Sequence, residues 1–152
     1  MDNRQVTRKI AIGADHGGYE MKVNLRELLE RLGHEVVDVG CHSSASVDYP
    51  DFAASLCQLI LSRTCQLGVL ICGTGIGMSL AANRQPEIRA ALCHDAFTAR
   101  LSRQHNDANV LCLGARVTGP GVAEEIVRVW LESEFEGGRH QLRVDKYSRK
   151  IT

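Results

Sequence analysis

The chain has 152 residues, with 18 Lys and Arg balanced by 18 Asp and Glu and a formal net charge of zero. That length fits one domain with a single core, and balanced charge without a long basic run argues against nucleic acid or an anionic membrane as partner. No apolar run approaches the ~18–20 residues that cross a bilayer, and the first residues lack the apolar segment of a signal peptide, so a cytoplasmic location is expected.

In chain order, residues 10–14 read as an apolar strand that ends at Asp15-His16-Gly17-Gly18. Met21, Leu25, Leu28, Leu29 and Leu32 then recur at helical spacing, with Gly33 as the stop. Residues 35–39 predict a second strand, 40–50 a polar loop, and 51–63 a helix. Residues 67–72 are an apolar third strand, followed by a helix over 76–83. A fourth strand over 89–93 precedes a helix over 96–104. A fifth strand over 109–113 precedes, beyond Gly119-Pro120-Gly121, a helix over 122–135. There is no linker, repeat or low-complexity tract. Strand–helix alternation of this kind predicts a three-layer α/β/α sandwich around a five-stranded parallel sheet, Rossmann-like, with 1–152 as one domain. Strands one, three and five, being apolar throughout, should be covered on both faces. The pattern does not encode strand order.

Open parallel sheets bind ligands beyond the carboxyl ends of their strands. The groups at those ends are Asp15 and His16, Cys72 and Thr74, His94 and Asp95, and the Gly114-Ala115-Arg116 turn. Cys72 opens a glycine-rich turn, Gly73-Thr74-Gly75-Ile76-Gly77, whose backbone N–H groups can face an anion at the start of a helix. A thiol there lies where the helix dipole favours a thiolate. The turn is GxGxG, not the GxGxxG of dinucleotide sites, and lacks the Gly-Lys-Ser/Thr of a nucleotide P-loop, which argues against NAD and ATP. The other five cysteines (Cys41, Cys57, Cys65, Cys93 and Cys112) form no CxxC pair and no zinc spacing with it, so they read as packed small hydrophobes and no metal or other cofactor is expected.

Asp15 has two readings, an N-cap for the first helix or an acceptor of substrate hydroxyls beside a phosphate-binding His16. The polar run Arg103-Gln104-His105-Asn106-Asp107 fits a plain helix end, yet histidine is the side chain best suited to proton transfer near neutral pH. Arg139 and Arg143, if that segment is helical, share one face and can clasp a phosphate; a solvated cationic tail is the alternative.

Together these segments resemble ribose-5-phosphate isomerase type B, in the family that also holds the galactose-6-phosphate isomerase subunits. The resemblance rests on Gly13-Ala14-Asp15-His16-Gly17-Gly18, Asp48-Tyr49-Pro50, Cys72-Gly73-Thr74-Gly75-Ile76-Gly77 with Ala81-Ala82-Asn83, Leu101-Ser102-Arg103-Gln104-His105-Asn106-Asp107, and Gly137-Gly138-Arg139-His140. It implies a cofactor-free aldose–ketose isomerase that works through an enediol(ate) on a small sugar phosphate. Cys72 matches the family's base, and Thr74 with the backbone of Gly73, Gly75, Ile76 and Gly77 its anion hole. His105 matches the ring-opening residue, assisted by Asp15. Asn106, Tyr49 and Asp48 match substrate contacts; His16, Arg139, Arg143 and, more weakly, Arg116 match the phosphate end. The resemblance further implies homodimers or tetramers with shared active sites, the segment 137–152 reaching a partner subunit. A branch of the family replaces the cysteine with a glutamate six residues on; here that position is Met78. The stretch 144–152 is also short where several relatives continue into a longer helix.

Ribose 5-phosphate is the expected substrate, with allose 6-phosphate or galactose 6-phosphate as the alternative, since pocket depth is not written in the motifs. A non-catalytic sugar-phosphate sensor would lack the base or the histidine, and this chain has both. A thiol redox sensor would need a resolving cysteine near Cys72; the sequence shows none nearby, which leaves Cys41, Cys93 and Cys112 as the ones that could approach in space.

Overall fold

A computed structural model describes residues 6–148. Its elements run β1 (Lys9–Ala14), α1 (Tyr19–Arg31), β2 (Glu35–Asp38), α2 (Tyr49–Leu61), β3 (Leu67–Cys72), α3 (Ile76–Ala82), β4 (Ala90–Leu92), α4 (Ala96–Gln104), β5 (Val110–Gly114), α5 (Pro120–Glu132) and α6 (Arg139–Tyr147). The strands form one sheet in the order β2-β1-β3-β5-β4, with every neighbouring pair parallel. The predicted class is the observed one. β1, β3 and β5 are buried nearly throughout, whereas the edge strands β2 and β4 are only half-buried, as strand hydrophobicity requires.

Alternation along each strand feeds two cores. Ile10, Ile12, Val69, Ile71, Leu111 and Leu113 pack with side chains of α1, α4 and α5 on one face. Ala11, Leu70, Cys72, Val110 and Cys112 pack with those of α2 and α3 on the other. The crossovers from β1 to β2 and from β4 to β5 step one way along the sheet; those into β3 and β4 step the other way. Right-handed crossovers then require α1 and α4 on one face and α2 and α3 on the opposite face, and that is where they lie. Because β1 leads to one side and β3 to the other, a crevice opens between their carboxyl ends.

Two helix starts differ from expectation. α2 begins at Tyr49 and α5 at Pro120, each with a proline in its first turn. The sequence reading treated Pro50 and Pro120 as loop residues, but proline's fixed φ suits the first turn, where no intrahelical N–H bond is lost. α5 also stops earlier than expected, at Glu132, because Ser133 is extended. The segment carrying Arg139 and Arg143 is helical. None of the helices among the described residues is long and apolar enough to cross a membrane.

Candidate active site

The crevice is built by three loops in close contact. A Cβ on Gly18 would lie 2.5 Å from the Ile71 carbonyl oxygen, and one on Gly17 would lie 3.3 Å from the Gly73 nitrogen, so glycine lets the loop after β1 touch the loop after β3. Asp15 closes that first loop: its Oδ1 accepts the N–H groups of Gly17 at 2.9 Å and Gly18 at 3.2 Å. It is buried, and it organises the turn rather than capping α1, whose N-cap is Gly18. His16 accepts the Val47 N–H on Nδ1 at 3.2 Å, which leaves Nε2 as the proton-bearing nitrogen of a neutral ring.

Cys72, the last residue of β3, is 5% exposed, and its Sγ accepts the Gly75 N–H at 3.1 Å. Gly75 takes a φ of +78°, and a Cβ there would lie 2.5 Å from the Leu92 side chain. Thr74 is exposed, and its Oγ1 accepts the Ile76 N–H at 3.3 Å. Two amides of the expected anion hole therefore close on the loop itself. The Tyr49 ring lies over Gly77, where a Cβ would meet its Cζ at 2.6 Å, so α2 delivers Asp48 and Tyr49 to the loop's edge. Asp48 is exposed and makes no cap hydrogen bond with its side chain. Arg116 donates its backbone N–H to the Gly73 carbonyl at 2.9 Å, and its guanidinium lies 3.2 Å from where a Gly73 Cβ would stand. The weaker phosphate candidate is thus beside Cys72 within the same chain. His94 and Asp95 follow β4, where the Asp95 carboxylate caps α4 by accepting the Thr98 N–H at 2.7 Å.

The remaining candidates sit elsewhere. α4 runs back toward the amino ends of the strands, so His105 and Asn106 emerge at the sheet edge opposite Cys72, roughly 15–20 Å away by strand rise. The His105 ring stacks on His140, with centroids 4.2 Å apart and planes 11° from parallel. His140 is buried, and its Nε2 is 3.6 Å from a Glu136 carboxylate oxygen. Tyr147 donates its hydroxyl to the Asn106 carbonyl at 3.1 Å. Arg139 and Arg143 are exposed on α6. Each chain therefore carries two clusters, one at each edge of its sheet. His140 was missed in the sequence; its signal is a histidine in the same short segment as the two arginines.

Spacing also missed one trio of possible metal ligands, because His105 lies far along the chain from Glu136 and His140, although their ligand atoms lie within 4.8 Å of one another. Stacked, nearly parallel imidazoles cannot aim two lone pairs at one ion, and Arg139 and Arg143 on the same helix add repelling charge. These residues do not fit a metal site as arranged.

The other cysteines behave as buried hydrophobes. Burial pushes the Cys57 thiol up to about 11 and Cys112 well above its usual value. Met78, on α3, is fully buried in the core that α3 shares with α2.

A profile of the Ribose/Galactose Isomerase family matches residues 10–147. Ribose-5-phosphate isomerase B of Escherichia coli is 46% identical over 138 residues, covering 91% of this chain and 93% of that protein. D-erythrulose-4-phosphate isomerase of Pectobacterium atrosepticum is 44% identical over 138 residues, covering 90% and 91% respectively. The solved structure of Clostridium thermocellum ribose-5-phosphate isomerase B superposes with a TM-score of 0.91 at 51% identity, covering 92% of this chain and 95% of that one. A match from β1 into α6, on a shared backbone, leaves no element of the sheet outside it: the chain belongs to the ribose/galactose isomerase family of sugar-phosphate isomerases.

Proposed function

We propose that this protein interconverts ribose 5-phosphate and ribulose 5-phosphate through an enediol(ate), with Cys72 as the base. The observation that carries this reading is the placement of Cys72 in the switch-point crevice, its sulfur receiving the Gly75 N–H. Isomerisation moves a proton between C2 and C1 of the open-chain sugar, and a thiolate at this position can take and return it. Negative charge then grows on the carbonyl oxygen, which Thr74 and the loop amides not already bonded within the turn would meet. His105 with Asp15 opens the ring, and His16, Arg116, Arg139 and Arg143 hold the phosphate. Asp48, Tyr49 and Asn106 contact the sugar hydroxyls.

The two clusters lie at opposite sheet edges, so no single chain assembles that set. A homodimer in which one copy's α4–α6 edge meets the other's crevice resolves the problem. α3 presents Ile76 and Leu80, 52% and 65% exposed and one turn apart, as apolar surface beside the Cys72 loop for such a partner.

A coupled assay with ribose 5-phosphate, allose 6-phosphate and D-erythrulose 4-phosphate tests the substrate. Highest kcat/KM on ribose 5-phosphate is expected; preference for either of the others replaces it with that sugar phosphate. Cys72→Ala should lower kcat by about 10²–10⁴-fold while sugar-phosphate binding persists. Near-native turnover by that variant removes Cys72 from the chemistry.

A further inference from the structure

We propose that His140 is a positioning residue for His105, fixing the plane of that ring by face-to-face stacking while leaving both of its nitrogens free. The proposal rests on the reading of His105 as the ring-opening group. Opening a cyclic sugar takes a proton from the anomeric hydroxyl and gives one to the ring oxygen, so the catalytic imidazole needs a lone pair and an N–H. A hydrogen bond that oriented the ring would occupy one nitrogen. Stacking orients it through its faces and occupies neither. Among the described residues, His105 has its one close ring partner in His140, at 4.2 Å and 11°.

The chain invests local structure in that contact. Gly137 and Gly138 both take positive φ, +63° and +54°, which turns the chain back so that the first turn of α6 meets the end of α4. The Glu136 N–H bonds to the Gln104 carbonyl at 3.0 Å, clamping the approach next to His105. His140 is buried although Arg139, Gln141, Leu142 and Arg143 around it are exposed. At the far end of the helix, Tyr147 grips the Asn106 carbonyl, so α6 holds both residues that follow α4.

Charge completes the arrangement. The groups facing His140 are His105 from α4, Arg139 and Arg143 from its own helix, and Glu136 from the preceding loop. Burial, then His105 and Arg139, hold the His140 imidazole below its usual range; Glu136 opposes them and Arg143 adds to them. Two imidazolium rings in face contact would repel.

The test compares His140→Ala and His140→Phe with wild type on two readouts: turnover of cyclic ribose 5-phosphate, and exchange of the C1 proton of open-chain ribulose 5-phosphate. His140→Ala should lower kcat on the cyclic sugar by about 10–100-fold, the scale of a small misplacement of a catalytic group, with KM and C1 exchange little changed. His140→Phe keeps a flat face and should restore most of the loss. Unchanged turnover in His140→Ala overturns the proposal. Equal loss in folded Ala and Phe variants also overturns it, since a flat face alone then does not suffice. If the Phe variant does not fold, His140→Tyr, which also presents a flat face, takes its place, and a loss equal to that of His140→Ala overturns the proposal. His105→Ala separates the underlying reading. Collapse of C1 exchange in that variant removes ring opening from His105, whereas selective loss on the cyclic sugar with a silent His140→Ala removes only His140.

Discussion

Lys22 lies on the buried face of α1 with its ammonium 2.8 Å from both carboxylate oxygens of Asp38. Burial pushes the Asp38 carboxyl upward, but the Lys22 hydrogen bonds, the Gly40 N–H, and the charges of Lys22 and His42 outweigh it and hold the group below its ordinary value of 3.8. A carboxyl depressed by folding stabilises the folded state fully above its unfolded pKa and loses that contribution as pH falls through the folded one. The protein should therefore lose stability as pH drops below 3.8, and Asp38→Asn should weaken that dependence. At neutral pH Asp38→Asn strands a buried ammonium and should cost about 3–5 kcal/mol in denaturant melts, whereas Lys22→Met with Asp38→Leu should recover most of it. An unchanged melt for Asp38→Asn would contradict this. The signal for the pair was present in the sequence, since Lys22, Leu25 and Leu29 share the apolar stripe of the first helix. A lone lysine in such a stripe does not name its partner, which is in the next strand.

At the level of elements, the crevice exists because backbone meets backbone. Gly18→Ala would drive a methyl group against the Ile71 carbonyl, which is held in the sheet and cannot swing aside. The variant should lose about 1–3 kcal/mol and raise KM, since separating the two loops displaces His16 from Gly73. Gly121 in α5 has nothing within 4 Å of its Cβ position, so Gly121→Ala should be neutral or stabilising by about 0.4–1 kcal/mol. Thermal melts of the two variants side by side check both signs. The strand over 67–72 and the helix over 96–104 were legible to the residue, the first from a continuous apolar run; the cap that starts the second, Asp95, was found only in the structure. Helix starts at prolines were not, because proline ends a helix from inside and begins one from its first turn. Strand order stayed hidden for a different reason. It depends on which strands meet in space, which periodicity along one strand does not contain.

For the whole molecule, the motifs suggested one crowded sheet edge at the strands' carboxyl ends, with His105, Asn106 and the arginines as a separate cluster that the resemblance directs to a partner's pocket and whose position in its own chain the motifs leave open. The direction of α4 supplies that position: antiparallel to the strands, it carries His105 to the far edge. If two copies share each pocket, an inactive Cys72→Ala chain mixed with an inactive Arg139→Ala/Arg143→Ala chain should regain activity, because each heterodimer holds one intact pocket. Proven subunit exchange without recovered turnover would place the arginines in cis or outside the reaction. The roles proposed for Asp48, Tyr49 and Asn106 rest on the resemblance alone, since distance along the chain says nothing of which edge a helix end reaches.

All six cysteines are buried and none is paired. They are distributed through the fold: Cys41 in the loop after β2, Cys57 on α2, Cys65 ahead of β3, Cys72 at the crevice, Cys93 after β4, and Cys112 in the middle of β5. A thiol reagent can reach the five cysteines outside the crevice only when their surroundings open, so the rate of labelling at each of those positions reads the free energy of the corresponding opening. Cys112, fully enclosed in a central strand, would be labelled on global unfolding, and Cys41, beside a loop, on a smaller excursion. Without a single engineered label, the chain carries its own map of where it breathes.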